Sequence, residues 1–291
     1  MKIGVTGATG QLGRLVIAEL KKKVSVENIV ALARSRQKAE ELGLGVEVRE
    51  ADYEQPETLE KALKGIDRLL LISANEVGKR EPQHMNLLAA AKKAEVKWIV
   101  YTSLLHADNS TLNLAGEHLA TENALKQSGI PYTILRNGWY TENYTNSIPG
   151  ALGAGAFIGS AGDGRISSAS RQDFAEAAVV VLTSEGQQGK VYELAGDDAY
   201  TLKDLAAEIS RQSGKEIPYN NLPEEQYAAI LGQVGVPEPW NGHIANWDVS
   251  VSKGDIYDDS RQLSKLIGRP TTPMSQTVAE AIPNNSGSGG K

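Results

Sequence analysis

The chain has 291 residues, 41% of them hydrophobic and 5% aromatic, with a formal net charge of −6 and no cysteine. That length exceeds the usual single core and predicts a large α/β domain carrying a smaller C-terminal lobe. The missing cysteines exclude disulfides, thiolate zinc ligands and cysteine nucleophiles. The scattered acidic charge argues against a nucleic-acid partner, and no run approaches the ~20 apolar residues of a membrane-spanning helix.

Met1–Thr6 enters a strand at once, with no basic and apolar leader ahead of it, so a cytoplasmic location is expected. Short β-branched runs recur at residues 3–6, 29–32, 46–49, 69–72, 98–101 and 132–135. Helical periodicity fills residues 11–22, 57–64, 83–94 and 115–128 between them. Strands alternating with helices imply right-handed crossovers, hence a Rossmann-type doubly wound parallel sheet covered on both faces.

Residues 1–150 are assigned to this nucleotide-binding domain and 151–283 to a substrate lobe intertwined with it. In the second part helical patterns occupy 171–183, 201–213, 223–234 and 258–267, with a short strand at 190–194. Glycines 150, 153, 155, 159, 162 and 164 are read as turns, and the Pro- and Asn-rich stretch Pro237–Trp247 as a loop. The tail Asn284–Lys291 has the composition of a flexible linker, is expected to be disordered or a tag remnant, and is left out of the fold.

Gly7-Ala8-Thr9-Gly10-Gln11-Leu12-Gly13 follows the first strand and opens the first helix. The first glycine permits the tight turn, the second lets a pyrophosphate approach the backbone, and the third allows close helix–strand packing. Phosphates placed there receive the unpaired N–H groups and positive dipole end of the helix. Folds that prefer NAD place an acid about 20 residues further on, at the end of the second strand. Here that place holds Arg34, with Arg36 and Lys38 beyond it. An always-charged planar fork suits a 2′-phosphate, so NADPH is the expected cofactor. Asp52 either reaches the adenine edge or caps the next helix. The backbone of Ser73, Ala74 and Asn75, after the fourth strand, is expected to run beside the cofactor ribose.

The glycine motif, Tyr101–Asp108, Leu135–Tyr144 and Lys190–Gly196 together resemble the NmrA-like atypical short-chain dehydrogenases. Within that group the chain is similar to the bacterial quinone-reducing and triphenylmethane-reducing members, from residue 1 to about residue 280. The resemblance implies contact between the cofactor and the backbone near residues 138–143, adding Asn137, Gly138, Trp139, Tyr140 and Asn143 to the cofactor set. The Trp240 stretch departs from the family pattern.

Most short-chain dehydrogenases exchange a proton through a serine and a Tyr-x-x-x-Lys pair. Ser103 is in place, but the two helix positions read His118 and Glu122, and the relay is missing. That counts strongly against alcohol oxidation and sugar epimerisation and leaves open acceptors whose difficult step needs hydride alone. A quinone and a cationic triphenylmethane dye are the two expected, both small planar aromatic acceptors. The competing reading is a redox sensor that binds the dinucleotide without turning it over. Candidate catalytic side chains are Tyr140, Asn143 and His118, although His118 and Glu122 also fit an exposed i, i+4 pair. Candidate acceptor contacts are His84, Trp139, Tyr140, Tyr144 and Trp240, because flat aromatic surface suits a planar acceptor. No pair of histidines has metal-ligand spacing, so no metal is expected, while a homodimer is left open.

Overall fold

The β-branched runs form strands because their side chains pack on both faces of a sheet. In order they are β1 (Ile3–Val5), β2 (Ile29–Ala33), β3 (Glu47–Glu50), β4 (Arg68–Leu71), β5 (Trp98–Leu104), β6 (Tyr132–Asn137), β7 (Phe157–Gly159), β8 (Val191–Leu194) and β9 (Tyr219–Asn221). This computed structural model describes residues 1–283; the tail Asn284–Lys291 lies outside the described residues.

Seven strands form one parallel sheet in the order β3-β2-β1-β4-β5-β6-β8, and β7 pairs with β9 in a small second sheet. The direction of winding reverses between β1 and β4, and open α/β sheets bind ligands in the crevice at the C-terminal end of such a switch point.

The helices are α1 (Gln11–Leu20), α2 (Arg36–Glu41), α3 (Pro56–Ala62), α4 (Arg80–Lys93), α5 (Ala115–Gln127), α6 (Glu142–Thr145), α7 (Ile148–Ala154), α8 (Arg171–Thr183), α9 (Leu202–Ser213), α10 (Glu224–Gln233), α11 (Trp240–Ser252), α12 (Gln262–Ile267) and α13 (Met274–Ala281). One sheet face is covered by α1, α8 and α12 through Val16, Ile17, Phe174 and Leu263. The other is covered by α3, α4 and α5 through Leu59, Leu87 and Leu125. A third core, with Ile148, Leu205, Ile209 and Val251 at its centre, builds the lobe over the crevice. Two reciprocal capping boxes, Ser170 with Asp173 and Thr201 with Asp204, start α8 and α9. Although α8 and β8 lie beyond residue 150, they return to the large layer, where β8 closes the sheet beside β6.

The lobe differs from the sequence reading in several places; Gly159, read as a turn, ends strand β7, which pairs with the unexpected β9. Gly150 and Gly153 lie inside α7, and only Gly155, in the left-handed region at φ 76°, ends that helix as a turn glycine. The stretch read as a loop is mostly α11, entered through Pro239. In both helices burial of apolar side chains, Ile148 and Ala151 in one and Ala245 and Val251 in the other, overrides weak local propensity. No helix among the described residues is long and apolar enough to cross a membrane.

Candidate active site

A cavity of about 830 Å³ follows the C-terminal ends of the central strands. At one end its wall is backbone. Gly7, Thr9, Gly10, Gln11, Leu12 and Gly13 line it, while Ala8 turns into the core. Gly7 has φ 57°, a left-handed conformation that glycine adopts without strain. A Cβ on Gly13 would lie 2.3 Å from the Gly7 carbonyl oxygen, so α1 packs against the turn only because residue 13 has no side chain. No side chain caps α1, and its first-turn amides have no carbonyl partner within the helix. This is the cradle a pyrophosphate fits.

Arg34, Ser35, Lys38 and Asp52 line the same end. Arg34 Nη1 lies 2.9 Å from Glu76, an acid across the cavity that the sequence reading passed over, whereas Arg36 turns away to Glu40 at 2.7 Å. Asp52 accepts from the Glu54 amide and the Gln55 side chain, ordering the turn before α3, although Gln55 occupies the N-cap position itself.

Ser73, Ala74, Asn75, Glu76 and Val77 form the middle wall. The Ala74 peptide is held at both ends: its N–H donates to His84 Nε2 at 3.0 Å, and its carbonyl accepts from Arg80 Nε at 2.8 Å. Because the amide must donate, the His84 proton sits on Nδ1, which donates to Thr121 Oγ1 at 2.9 Å; that hydroxyl donates to the Glu117 carbonyl. Burial, helped by the Arg80 charge, pushes the His84 pKa down to about 3. His84 therefore stands behind the wall, wholly buried and edge-on to Tyr53 and Tyr101, and not on the acceptor surface as expected. Arg80 and Gln83 line the cavity from the same helix face. The i, i+4 spacing of Arg80 from His84 was the available signal, but buried polar groups at that face were not anticipated.

His118 and Glu122 are not an exposed pair either. Both are buried, because this face of α5 packs on β5 and β6. Arg136 grips Glu122 with two nitrogens, at 2.9 and 3.0 Å, and Ser103 donates to the same carboxylate at 2.7 Å. Burial works to raise the Glu122 pKa, but the hydrogen bonds from Arg136 and Ser103 and the Arg136 charge outweigh it and hold the carboxylate below its ordinary range. Arg136 also reaches Glu193 at 2.8 Å and Asp108 at 3.0 Å. One turn earlier, His118 Nδ1 lies 2.8 Å from the Tyr101 hydroxyl while the residue lines the cavity. Burial, and then the Arg80 charge, holds the His118 ring well below its ordinary pKa, so it is neutral.

The far end is made of side chains. Leu104, Leu114, Trp139, Trp240 and Trp247 surround it, with Trp139 and Trp247 edge-to-face at 5.5 Å and Trp240 against Trp247 at 6.3 Å. Trp247 Nε1 donates to Asn113 at 2.8 Å, which fixes its ring. Asn137, Gly138, Tyr140, Asn143 and Arg171 line the wall between the two ends. Arg171 stacks 4.4 Å above the Tyr140 ring and donates to Asn143 Oδ1 at 2.9 Å. Burial raises the Tyr140 pKa and keeps the phenol protonated. Asn137 Oδ1 is buried without a hydrogen-bond partner, as expected where a polar ligand completes the wall, while Arg171 Nη1 faces the Glu142 carboxylate at 3.6 Å. Tyr144 does not reach the cavity: α6 turns it into the lobe core, where its hydroxyl has no partner. Arg171 and Leu114 carried no sequence signal, since only tertiary packing brings them here.

The NAD(P)H-binding family pattern matches residues 7–185. Quinone oxidoreductase 2 of Escherichia coli is 55% identical over 278 residues, covering 95% of this chain and 97% of its own. The crystal structure of that enzyme with NADPH superimposes with a TM-score of 0.93 at 55% identity, over 96% of this chain and 99% of the other. The Citrobacter sp. triphenylmethane reductase complexed with NADP(H) does so with a TM-score of 0.93 at 41% identity, over 97% of this chain and 100% of the other. With a glycine cradle at a helix N-terminus and relatives matched along nearly the whole chain, this protein belongs to the NAD(P)H-binding family.

Proposed function

We propose that the chain is an NADPH-dependent reductase that passes hydride to a quinone or a cationic triphenylmethane dye. The carrying observation is one continuous cavity, with a glycine cradle and Arg34 at one end and three tryptophans at the other. In this reading Gly7, Thr9, Gly10, Gln11, Leu12 and Gly13 hold the pyrophosphate, and Arg34 and Lys38 hold the 2′-phosphate. Ser73, Ala74 and Asn75 flank the ribose, and Asn137, Gly138, Trp139, Tyr140 and Asn143 border the nicotinamide. Trp139, Trp240 and Trp247 roof a planar acceptor. When bound, NADPH supplies the hydride.

The chain's own residues position the reactants and exclude water. A dry, shaped pocket that holds two reactants in register removes most of the entropic barrier to their encounter. Nothing in the site reproduces a tyrosine–lysine pair: Ser103 and Glu122 are bound to each other and to Arg136. The reading includes a cytoplasmic site of action, which the absence of cysteine supports.

The test is consumption of NADPH with a simple quinone and, separately, with a cationic triphenylmethane dye, with NADH as the paired control. NADPH-preferring turnover is expected. Tight nucleotide binding without turnover on either acceptor would replace the reductase with a sensor. Arg34→Ala is expected to weaken NADPH by about 1.5 to 3 kcal/mol, the scale of a hydrogen bond to a charged group, and to leave NADH nearly unchanged. Equal losses for both nucleotides would remove the 2′-phosphate from Arg34.

A further inference from the structure

Three polar side chains of the reaction end face different fates. Ser103 and Glu122 are occupied by each other and by Arg136. His118 is not: among the described residues its ring has one hydrogen bond, between Nδ1 and the Tyr101 hydroxyl at 2.8 Å, and the residue belongs to the cavity wall. Tyr101 is itself buried; the Thr121 hydroxyl near it already accepts from His84 and donates to the Glu117 carbonyl, so among the described residues the phenol proton is best satisfied by donation to Nδ1. The histidine's own proton then sits on Nε2, the nitrogen without a protein partner. Leu114, the N-cap residue just before α5, also lines the cavity, and Leu104 and Trp139 complete an apolar setting in which a single donor acts strongly.

We propose that His118 is a catalytic residue for quinones, its Nε2–H donating a hydrogen bond to the acceptor oxygen on which negative charge develops, with Tyr101 as the positioning residue that fixes the tautomer. The inference rests on the reductase reading above and adds an acceptor-specific role to it. The two acceptor classes differ in how their charge balances. Hydride adds two electrons and one hydrogen to a quinone; a carbonyl π pair moves onto oxygen, giving the hydroquinone monoanion, and water supplies the last proton, leaving hydroxide. A triarylmethyl cation takes the same hydride at its central carbon and becomes neutral, forming a C–H bond and no oxyanion. A donor aimed at oxygen therefore assists the first reaction and has nothing to act on in the second. A neutral ring serves both, because an imidazolium would repel a cationic dye.

The experiment compares His118→Phe and His118→Gln with the unaltered protein on both acceptors. Loss of one preorganised donor to an oxyanion costs about 100-fold or more in rate. The ratio of quinone to dye turnover is therefore expected to fall by about 100-fold in H118F and to recover in part in H118Q, which keeps a donor. An equal loss on both acceptors, or an unchanged ratio, would overturn the assignment. A second readout needs no turnover: 4-nitrophenol, titrated into the NADP⁺-loaded protein, is expected to bind as its coloured phenolate, and H118F is expected to lose that preference. Identical phenolate fractions in both proteins would also overturn it. If the unaltered protein reduces neither acceptor, the reductase reading fails, and the nitrophenol titration still decides the role of His118.

Discussion

The two ends of the cavity are made of different material. At the nucleotide end the wall is main chain, a turn and a helix start within residues 7–13, with Arg34 added from the end of the neighbouring strand. At the acceptor end the wall is side chain, drawn from α5, the segment after β6 and α11, so that His118 and Trp247, more than a hundred residues apart in sequence, line one cavity. A wall of backbone fails when an atom is added and tolerates changes in side-chain identity. A wall of side chains fails when an atom is removed or a buried charge loses its partner.

Gly13→Val tests the first half of that contrast and carries the largest expected effect. The new Cβ would meet the Gly7 oxygen at 2.3 Å and the Ala8 Cα at 2.8 Å, both backbone atoms that cannot rotate away. The turn must open, and the cradle with it. Titration with NADPH is expected to show at least a hundredfold weaker binding, with melting lowered by an overpacking cost of about 1 to 3 kcal/mol. Unchanged NADPH affinity in a folded G13V protein would show that the cradle is not where the nucleotide binds.

The same contrast explains how much could be read in advance. Gly7, Gly10, Gly13 and Arg34 lie close together in sequence, and local backbone geometry demands their residue types, so the nucleotide end was legible. The large sheet was legible too, because β-branched runs and helical periodicity alternate through its first half. Pairing across long separations was not. His84 was expected on the acceptor surface, yet α4 starts at Arg80 and turns it inward to hold the Ala74 peptide. Glu122 looked like a surface residue until Arg136, on β6, arrived to grip it. The roof residues Trp240 and Trp247 sit on a helix whose Pro, Asn and Gly content favours a loop, and only burial against the lobe makes it helical.

Removing the Glu122 carboxylate probes the scaffold behind the acceptor end. Glu122 is fully buried and paired, and Arg136 is 8% exposed, so Glu122→Leu leaves a guanidinium with part of its compensation gone. Breaking such a pair costs about 3 to 5 kcal/mol, and the remaining contacts of Arg136 with Glu193 and Asp108 place the expectation at the lower end. Urea unfolding measures it. Glu122→Leu with Arg136→Met is expected to recover much of the loss, because neither charge is then stranded. NADPH affinity of the folded protein is expected to stay within about threefold, since the cradle shares no side chain with this pair. A stability equal to the unaltered protein's would show that the pair makes no net contribution.

The smallest expected effect comes from Asp248, next to Trp247 on α11. Its carboxylate accepts from the Ser160 amide at 2.9 Å and is otherwise enclosed by the lobe, and burial raises its pKa from 3.8 to about 6 despite that hydrogen bond. Because the folded state favours the protonated form, the contribution to stability is fully present below about pH 4 and is lost as pH rises through about 6. A shift of this size corresponds to roughly 3 kcal/mol at full ionisation. Asp248→Asn keeps an acceptor for the amide and removes the charge, at the cost of burying an amide NH₂. It is therefore expected to melt higher than the unaltered protein at pH 8, by the equivalent of about 2 kcal/mol, and at the same temperature near pH 4. A pH-independent difference would mean that Asp248 is not the group that titrates. If the gain at pH 8 also tightens quinone binding and leaves NADPH binding unmoved, the two ends are energetically separate as well as differently built.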